Sequence, residues 1–297
     1  MLITESVMGK IISFINMKGG VGKTTLSIGI ADYLASINKK ILIIDADPQF
    51  NATQALLDQY KKTKSDDNEE NFYTKKILSE SKTIYRLFKP AVSISERQEN
   101  PKASELIVQL KSNLDILCGD LSLVLVNKSA DHSFIRKIKN FIVHNKLKDV
   151  YDYIIIDCPP TLTIYTDSAL YASDFYLIPN RIDRYSIVGI ESLQQAVTNL
   201  IEEEDIPLRC LGLVYTMVEK DSAKQTQIKN DFESKRAVGE IDIFSSKMGI
   251  VKNIQYGKSG SNPTLYQLSR EDIESIATEL IHKIEQCEKG DNQCEQS

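Results

Sequence analysis

The run Lys18-Gly19-Gly20-Val21-Gly22-Lys23-Thr24-Thr25 packs two lysines, three glycines and two hydroxyls into one short stretch. Glycine lets the main chain pass close to a ligand, lysine supplies fixed positive charge, and a threonine hydroxyl can bind a metal ion. Between a strand and a helix, such a run is a phosphate cradle, with backbone amides at the positive end of the helix. It approaches G-x-x-x-x-G-K-[ST], with Gly22, Lys23 and Thr24 in place and Met17 where the first glycine would stand. Lys23 is expected on the β/γ-phosphate oxygens, Thr24 on Mg²⁺ and Thr25 on the α-phosphate, inside a cradle of amides from Gly19 to Thr25. Lys18 is the extra residue. At the head of the loop its side chain leaves its own phosphates and turns to the open side of the site.

The elements that must hold this loop are legible around it. "KIISFIN" is a short, β-rich apolar run that leads into the glycines, and "TLSIGIADYLASI" repeats apolar residues at helical spacing through Leu26, Ile30, Leu34 and Ile37. "KKILIIDAD" and "YDYIIIDCPP" are further buried strands ending in acids, "NLDILCGD", "DFYLIPN" and "LRCLGLVYTM" add three more. Continuous apolar runs separated by helices predict an α/β fold, a mostly parallel twisted sheet with helices on both faces. Ligands bind beyond the carboxyl ends of such strands, where the glycine turn and the acids stand.

One domain is expected over residues 1–297. About residues 59–82, opening on "DQYKKTKSDDNEENFY", read as an exposed polar insertion. About residues 271–297 read as a C-terminal helix and acidic tail. Ile273, Ile276, Leu280, Ile281 and Ile284 share one helical face, and beyond Arg270 eight acids stand against two lysines. A membrane-surface helix would carry lysines opposite its apolar stripe, so this one is expected to pack on the body. No apolar run has the length of a membrane span, and "MLITESVMGK" lacks the pattern of a signal peptide, which predicts a cytoplasmic chain without a membrane partner. Five scattered cysteines without a C-x-x-C pair read as reduced thiols. A net charge of −5 rules out an evenly basic surface, so nucleic acid would have to meet a local patch.

Lys18 to Thr24 reads K-G-G-x-G-K-[ST] and resembles the signature of the ParA/MinD family of deviant Walker A ATPases. The resemblance implies a P-loop NTPase fold, ATP and Mg²⁺ as cofactors, and a homodimer bridged by ATP in which Lys18 reaches the partner's phosphates. "IIDADPQFNAT" resembles the family's D-x-D-P-Q-G-N-A-T stretch, with Phe50 where glycine is usual; this implies that Asp47 orients the attacking water and Asp45 supports the Mg²⁺ shell. "YDYIIIDCPPTL" resembles the Walker B segment, with Asp157 holding a Mg²⁺-bound water. "LIPNRIDRYSIVGIESL" resembles I-P-x-x-x-E-x-x-[AS]-x-x-G with Asp183 replacing glutamate, and "LGLVYTM" makes Thr216 and Met217 the expected base contacts. "IQYGKSG" resembles the late S-Y-G-K-P motif without its proline. The likeness spans about residues 9–270.

The start "NMKGG", in place of G-K-G-G, resembles the DNA-segregation branch, in a compact form that lacks an N-terminal helix-turn-helix domain. That branch implies nucleoid-associated, sequence-nonspecific binding of double-stranded DNA, plasmid or chromosome partition, and a ParB-like or ribbon-helix-helix partner that stimulates hydrolysis. From Arg209 to Lys258 nine basic residues face six acids, a local +3, and Lys220, Lys224, Lys247, Lys252 and Lys258 are the candidate DNA contacts. Rival readings are a cargo- or site-positioning ATPase of the same family and a nucleotide-gated DNA-binding regulator with little turnover.

Overall fold

The computed structural model describes residues 8–61, 71–89, 100–126, 132–183, 186–219, 223–252, 254 and 260–294, without the side chains of 291–294. Strands β1 (Lys10–Phe14), β2 (Ile41–Asp45), β3 (Val108–Lys111), β4 (Leu114–Leu117), β5 (Tyr153–Asp157), β6 (Phe175–Arg181) and β7 (Arg209–Thr216) form one sheet in the order β3-β4-β2-β5-β1-β6-β7. All neighbours are parallel except β3 and β4. β3 was not legible from the sequence: "VQLK" is short and half polar, and only its inner edge is paired. The outer edge of β7 is covered by a later segment. The Leu213 amide donates to the Asp242 carbonyl at 2.8 Å, the Phe244 amide to Leu213 at 2.9 Å and the Met248 amide to Tyr215 at 2.9 Å.

The central strands are apolar throughout because both faces are covered. On one face Ile12, Phe14, Ile41 and Ile43 pack under α1 (Lys23–Ser36), α2 (Asn51–Tyr60) and the C-terminal helix. On the other, Leu42, Ile44, Ile154 and Ile156 meet α3 (Lys137–His144) and α4 (Ile164–Ala172). Next to them, Tyr176, Ile178 and Leu213 meet α5 (Ser186–Glu204) and α6 (Ala223–Glu233). The last helix, α7, runs Gln267–Cys294 and buries Ile273, Ile276, Ala277, Leu280 and Ile284 against the body, as its apolar stripe predicts. It begins before residue 271, and residues expected as an acidic tail continue the helix to Cys294.

α1 is buried nearly all round, which requires close approach. At Gly29 an added Cβ would lie 2.5 Å from Pro263 Cγ and 2.7 Å from Ile273 Cδ1. The buried Asp32 then ties four elements together. Tyr60 of α2, Lys111 of β3 and Thr264 all direct a hydrogen bond or ammonium at its carboxylate, and Asn262 Nδ2 donates to it at 3.1 Å.

The expected exposed insertion needs correction in its second half. Residues 62–70 lie outside the described residues, but Tyr73–Leu78 forms a π-helical turn with Ile77 buried and with Phe72 and Tyr73 packed against the core. The charged residues before them hid this apolar anchor.

Candidate functional site

The glycine loop has the conformation its composition requires. Gly20 and Gly22 take φ of +70° and +82°, which side chains disfavour, and Gly22 forms the N-terminal end of α1 with no side-chain cap. The first intrahelical bond runs from the Leu26 amide to the Gly22 carbonyl at 2.9 Å, so the amides of Lys23, Thr24 and Thr25 have no intrahelical acceptor. They point their positive ends at whatever lies beyond β1.

Lys23 is buried, and its ammonium donates to the carbonyls of Asn16 at 3.0 Å and Lys18 at 3.1 Å. Burial lowers its pKa, while Asp157, Cys158 and Asp47 pull it back up. Thr24 Oγ1 donates to Asp157 Oδ2 at 2.7 Å, and Asp157 Oδ1 is buried without a hydrogen-bond partner among the described residues. Desolvation pushes the Asp157 carboxyl up to about 7, with Asp47 adding to the shift and Thr24 and Lys23 opposing it. A buried carboxylate oxygen without a donor is costly. A hydrated divalent cation beside Thr24 would satisfy it, so the donor set fits Mg²⁺.

The second acidic strand end shapes the neighbouring loop. Asp45 is fully buried, and its Oδ2 accepts from the Thr53 amide at 2.8 Å and the Thr53 hydroxyl at 2.7 Å. Its Oδ1 accepts from the Asp47 amide at 3.3 Å. Asp45 therefore holds the first turn of α2 through Thr53 and the following loop through the Asp47 amide. Burial first, then the Asp157 charge, raise the Asp45 carboxyl well above its usual range. Asp47 is nearly buried and close enough to shift both Lys23 and Asp157. The structure thus gathers Lys23, Thr24, Asp47 and Asp157 around the loop.

Lys18 stands at the rim. Its amide donates to Asn16 Oδ1 at 3.0 Å, and its ammonium pairs with Asp183, from the turn after β6. Both side chains remain partly exposed, at 36% and 26%. Thr216 and Met217, expected at the base, line a cavity of about 240 Å³ with Gly22, Thr25, Arg181 and Lys252. Thr216 Oγ1 also donates to the Val21 carbonyl at 2.7 Å, tying the end of β7 to the glycine loop.

Of the lysines expected on DNA, Lys220 and Lys258 lie outside the described residues, and Lys224, Lys247 and Lys252 are exposed. Lys252 lines the cavity with Thr216 and Met217, whereas Lys224 lines a groove between α5 and α6 with Asp183 and Asp231. Lys229 pairs with Glu233 at 3.3 Å and Arg236 with Glu240 at 3.7 Å, so these two bases are held by acids already counted in the local sum.

A family model described as an AAA domain matches residues 9–210. The sporulation initiation inhibitor protein Soj of Bacillus subtilis is 32% identical over 212 residues, covering 71% of this chain and 74% of the relative. The chromosome-partitioning ATPase Soj of Treponema pallidum is 30% identical over 210 residues, covering 71% and 72%. The chain belongs to the ParA/MinD family. Solved structures agree on the ParA fold. A plasmid partition protein from Borrelia burgdorferi superposes with a TM-score of 0.66 at 24% identity, covering 93% of this chain and 99% of that one. Cyanothece McdA, in an ATP complex, superposes at 0.70 with 20% identity, covering 92% and 96%.

Around this ParA-family site Thr53 closes the "IIDADPQFNAT" motif, whereas Gly119 and Tyr73 belong to no motif in the sequence. Thr53 reaches Asp45 from 8 residues away, and Gly119 reaches Thr53 from 66: the Gly119 amide donates to Thr53 Oγ1 at 2.8 Å, and an added Cβ at Gly119 would lie 3.0 Å from Asp45 Cγ. Tyr73 donates to the Gly119 carbonyl at 2.9 Å. Only the "CGD" after the β4 run hinted that a small residue was needed there.

Proposed function

We propose that this chain is a ParA-type DNA-partition ATPase that binds Mg-ATP, dimerises around it, coats DNA without sequence preference and releases DNA when a partner stimulates hydrolysis. The observation that carries the reading is Asp157, whose Oδ2 accepts from Thr24 while its buried Oδ1 has no partner among the described residues, beside uncapped helix amides and a buried lysine. That set suits a phosphorylated ligand with its cation, and the McdA relative in fold is an ATP complex.

In this mechanism the amides of Gly19 to Thr25 hold the phosphate chain, and Lys23 exchanges its two carbonyl acceptors for β/γ-oxygens. Thr24 and Asp157 would hold Mg²⁺, which would supply charge neutralisation for the transferred phosphoryl group. Asp47 orients the attacking water, and Asp45 keeps Asp47 in place through its own cap on α2. Thr216 and Met217 seat the base. Lys18 leaves Asp183 and crosses to the phosphates of the second subunit. The dimer presents the exposed lysines, Lys224, Lys247 and Lys252 among them, to DNA phosphates, and a ParB-like or ribbon-helix-helix protein supplies the stimulus on the nucleoid.

The test is fluorescence anisotropy on several unrelated duplexes, with ATP and Mg²⁺, with ADP, and without nucleotide. Binding should require ATP, ignore sequence, and weaken steeply with salt, with a slope of about −0.9 per phosphate contacted. Equal affinity in all three states overturns the gated model, and a strong preference for one duplex points to an operator-binding regulator.

A further inference from the structure

We propose that Tyr73, in the stretch inserted between α2 and β3, is a positioning residue for the loop that carries Asp47. This rests on the reading of Asp47 as the residue that orients water.

The Asp47 loop is a tight turn with a built-in conflict. Its closing bond runs from the Phe50 amide to the Asp47 carbonyl at 2.8 Å, and the Gln49 amide donates to Asp47 Oδ1 at 2.9 Å. Phe50 sits at φ 42°, ψ 37°, the left-handed region, just before α2. An aromatic residue enters that region only when its surroundings hold it there. Glycine would take the same turn freely. Phe50 therefore needs a restraint that glycine would not.

Tyr73 supplies it. The Phe50 ring lies on the Tyr73 ring with centroids 4.9 Å apart and planes 12° from parallel. The Tyr73 hydroxyl donates to the Gly119 carbonyl at 2.9 Å, fixing the ring from behind. Gly119 presses on the same loop, since a Cβ there would lie 2.7 Å from Phe50 Cβ. Its amide donates to Thr53 Oγ1, which donates to Asp45 Oδ2. Phe50, Tyr73, Gly119, Thr53 and Asp45 thus close a ring of contacts around the turn. Tyr73 opens a π-helical turn anchored by the buried Ile77, so the inserted stretch reaches the catalytic loop from a fixed base. Among chains with glycine at this position the restraint would be superfluous; here the aromatic at 50 and the tyrosine at 73 are mutually required.

The experiment uses the full chain with Tyr73→Leu, which keeps apolar bulk but loses the stacking plane and hydroxyl, with Tyr73→Phe, and with Phe50→Gly alone and combined with Tyr73→Leu. Two readouts are taken: steady-state ATP hydrolysis, and hydrogen exchange of the nucleotide-free loop at residues 47–53. A stacked ring pair shifts a local equilibrium by about two- to tenfold. Tyr73→Leu should lower kcat by about that factor with KM for ATP unchanged, and speed loop exchange similarly; Tyr73→Phe should fall between it and the wild type. On the Phe50→Gly background, Tyr73→Leu should change neither readout by more than about twofold. A Tyr73→Leu chain with wild-type exchange and turnover overturns the proposal, as does an equal loss on both backgrounds, which would make Tyr73 merely a structural anchor. A wild-type chain that hydrolyses no ATP defeats the ATPase reading alone, and the exchange comparison then decides the proposal by itself.

Discussion

Replacing Asp183 by asparagine should tighten the ATP-bound dimer. In the single chain the Lys18 ammonium is held by the Asp183 carboxylate, and a lysine so held is not available to a second subunit. With 36% and 26% of the two side chains exposed, the pair is screened by water, and such partly exposed pairs contribute about 0.2–1 kcal/mol each. A symmetric dimer must release two of them, so about 0.4–2 kcal/mol opposes association. Asparagine keeps the shape of the side chain and removes the charge. At about 1.4 kcal/mol per tenfold, the dimer Kd should fall by roughly two- to thirtyfold. The gap between variant and wild type should narrow as salt rises from 0.05 to about 0.5 M, because exposed pairs are screened. Sedimentation equilibrium with a nonhydrolysable ATP analogue measures both. A variant with unchanged or weaker dimerisation at low salt would refute the reasoning, and a Lys18→Ala chain that dimerised normally would remove its premise.

Asp47→Ala leaves the cradle intact, so ATP affinity by isothermal titration should persist while phosphate release falls by at least roughly a hundredfold, as for other positioned catalytic groups. The nucleotide-free chain should lose stability as pH rises, because burial holds the Asp157 carboxyl at about 7 and the folded chain keeps a proton that the unfolded chain releases near pH 4. That contribution is complete below the unfolded pKa and gone above about 7; melting temperatures across pH 4.5–8 should show the decline in the wild type and a flatter profile in Asp157→Asn. Gly29→Ala gains helix propensity of about 1 kcal/mol but drives a methyl group against Pro263 and Ile273, and overpacking of about 1–3 kcal/mol should win, lowering the urea midpoint. A raised midpoint would mean that α7 can move away from α1.

The sheet was readable because its central strands are buried on both faces and so carry uninterrupted apolar runs, as in "ILIID" and "YIIID". β3, half polar and at an edge, has no such run, and "VQLK" resembles a loop. The phosphate loop was readable for a different reason: its chemistry is local, and Gly20, Gly22, Lys23 and Thr24 act where they stand in the chain. The surroundings of Asp47 are not local. Gly119 and Tyr73 matter through contacts with Phe50 that join residues 69 and 23 positions apart, and periodicity carries no trace of such closures. Phe50 itself was visible as a departure from the family's glycine, yet only the backbone at φ 42° shows what the departure demands. The local +3 between Arg209 and Lys258 says how much charge the segment carries and not where it lies, and pairs such as Lys229 with Glu233 appear only in three dimensions.

The two rims of the sheet bear on how copies of this protein can assemble. An open strand rim offers unpaired amides and carbonyls to any passing chain and is a common seed of fibres and of runaway polymerisation. On one side β3 is four residues long, irregular between Gln109 and Lys111, and carries a lysine committed to Asp32. On the other, the main chain around Asp242, Phe244 and Met248 already bonds to β7. Among the described residues, neither rim offers a long, flat, unpaired strand. Contacts between copies of this protein are thereby left to helix faces and to the end of the sheet that carries the glycine loop.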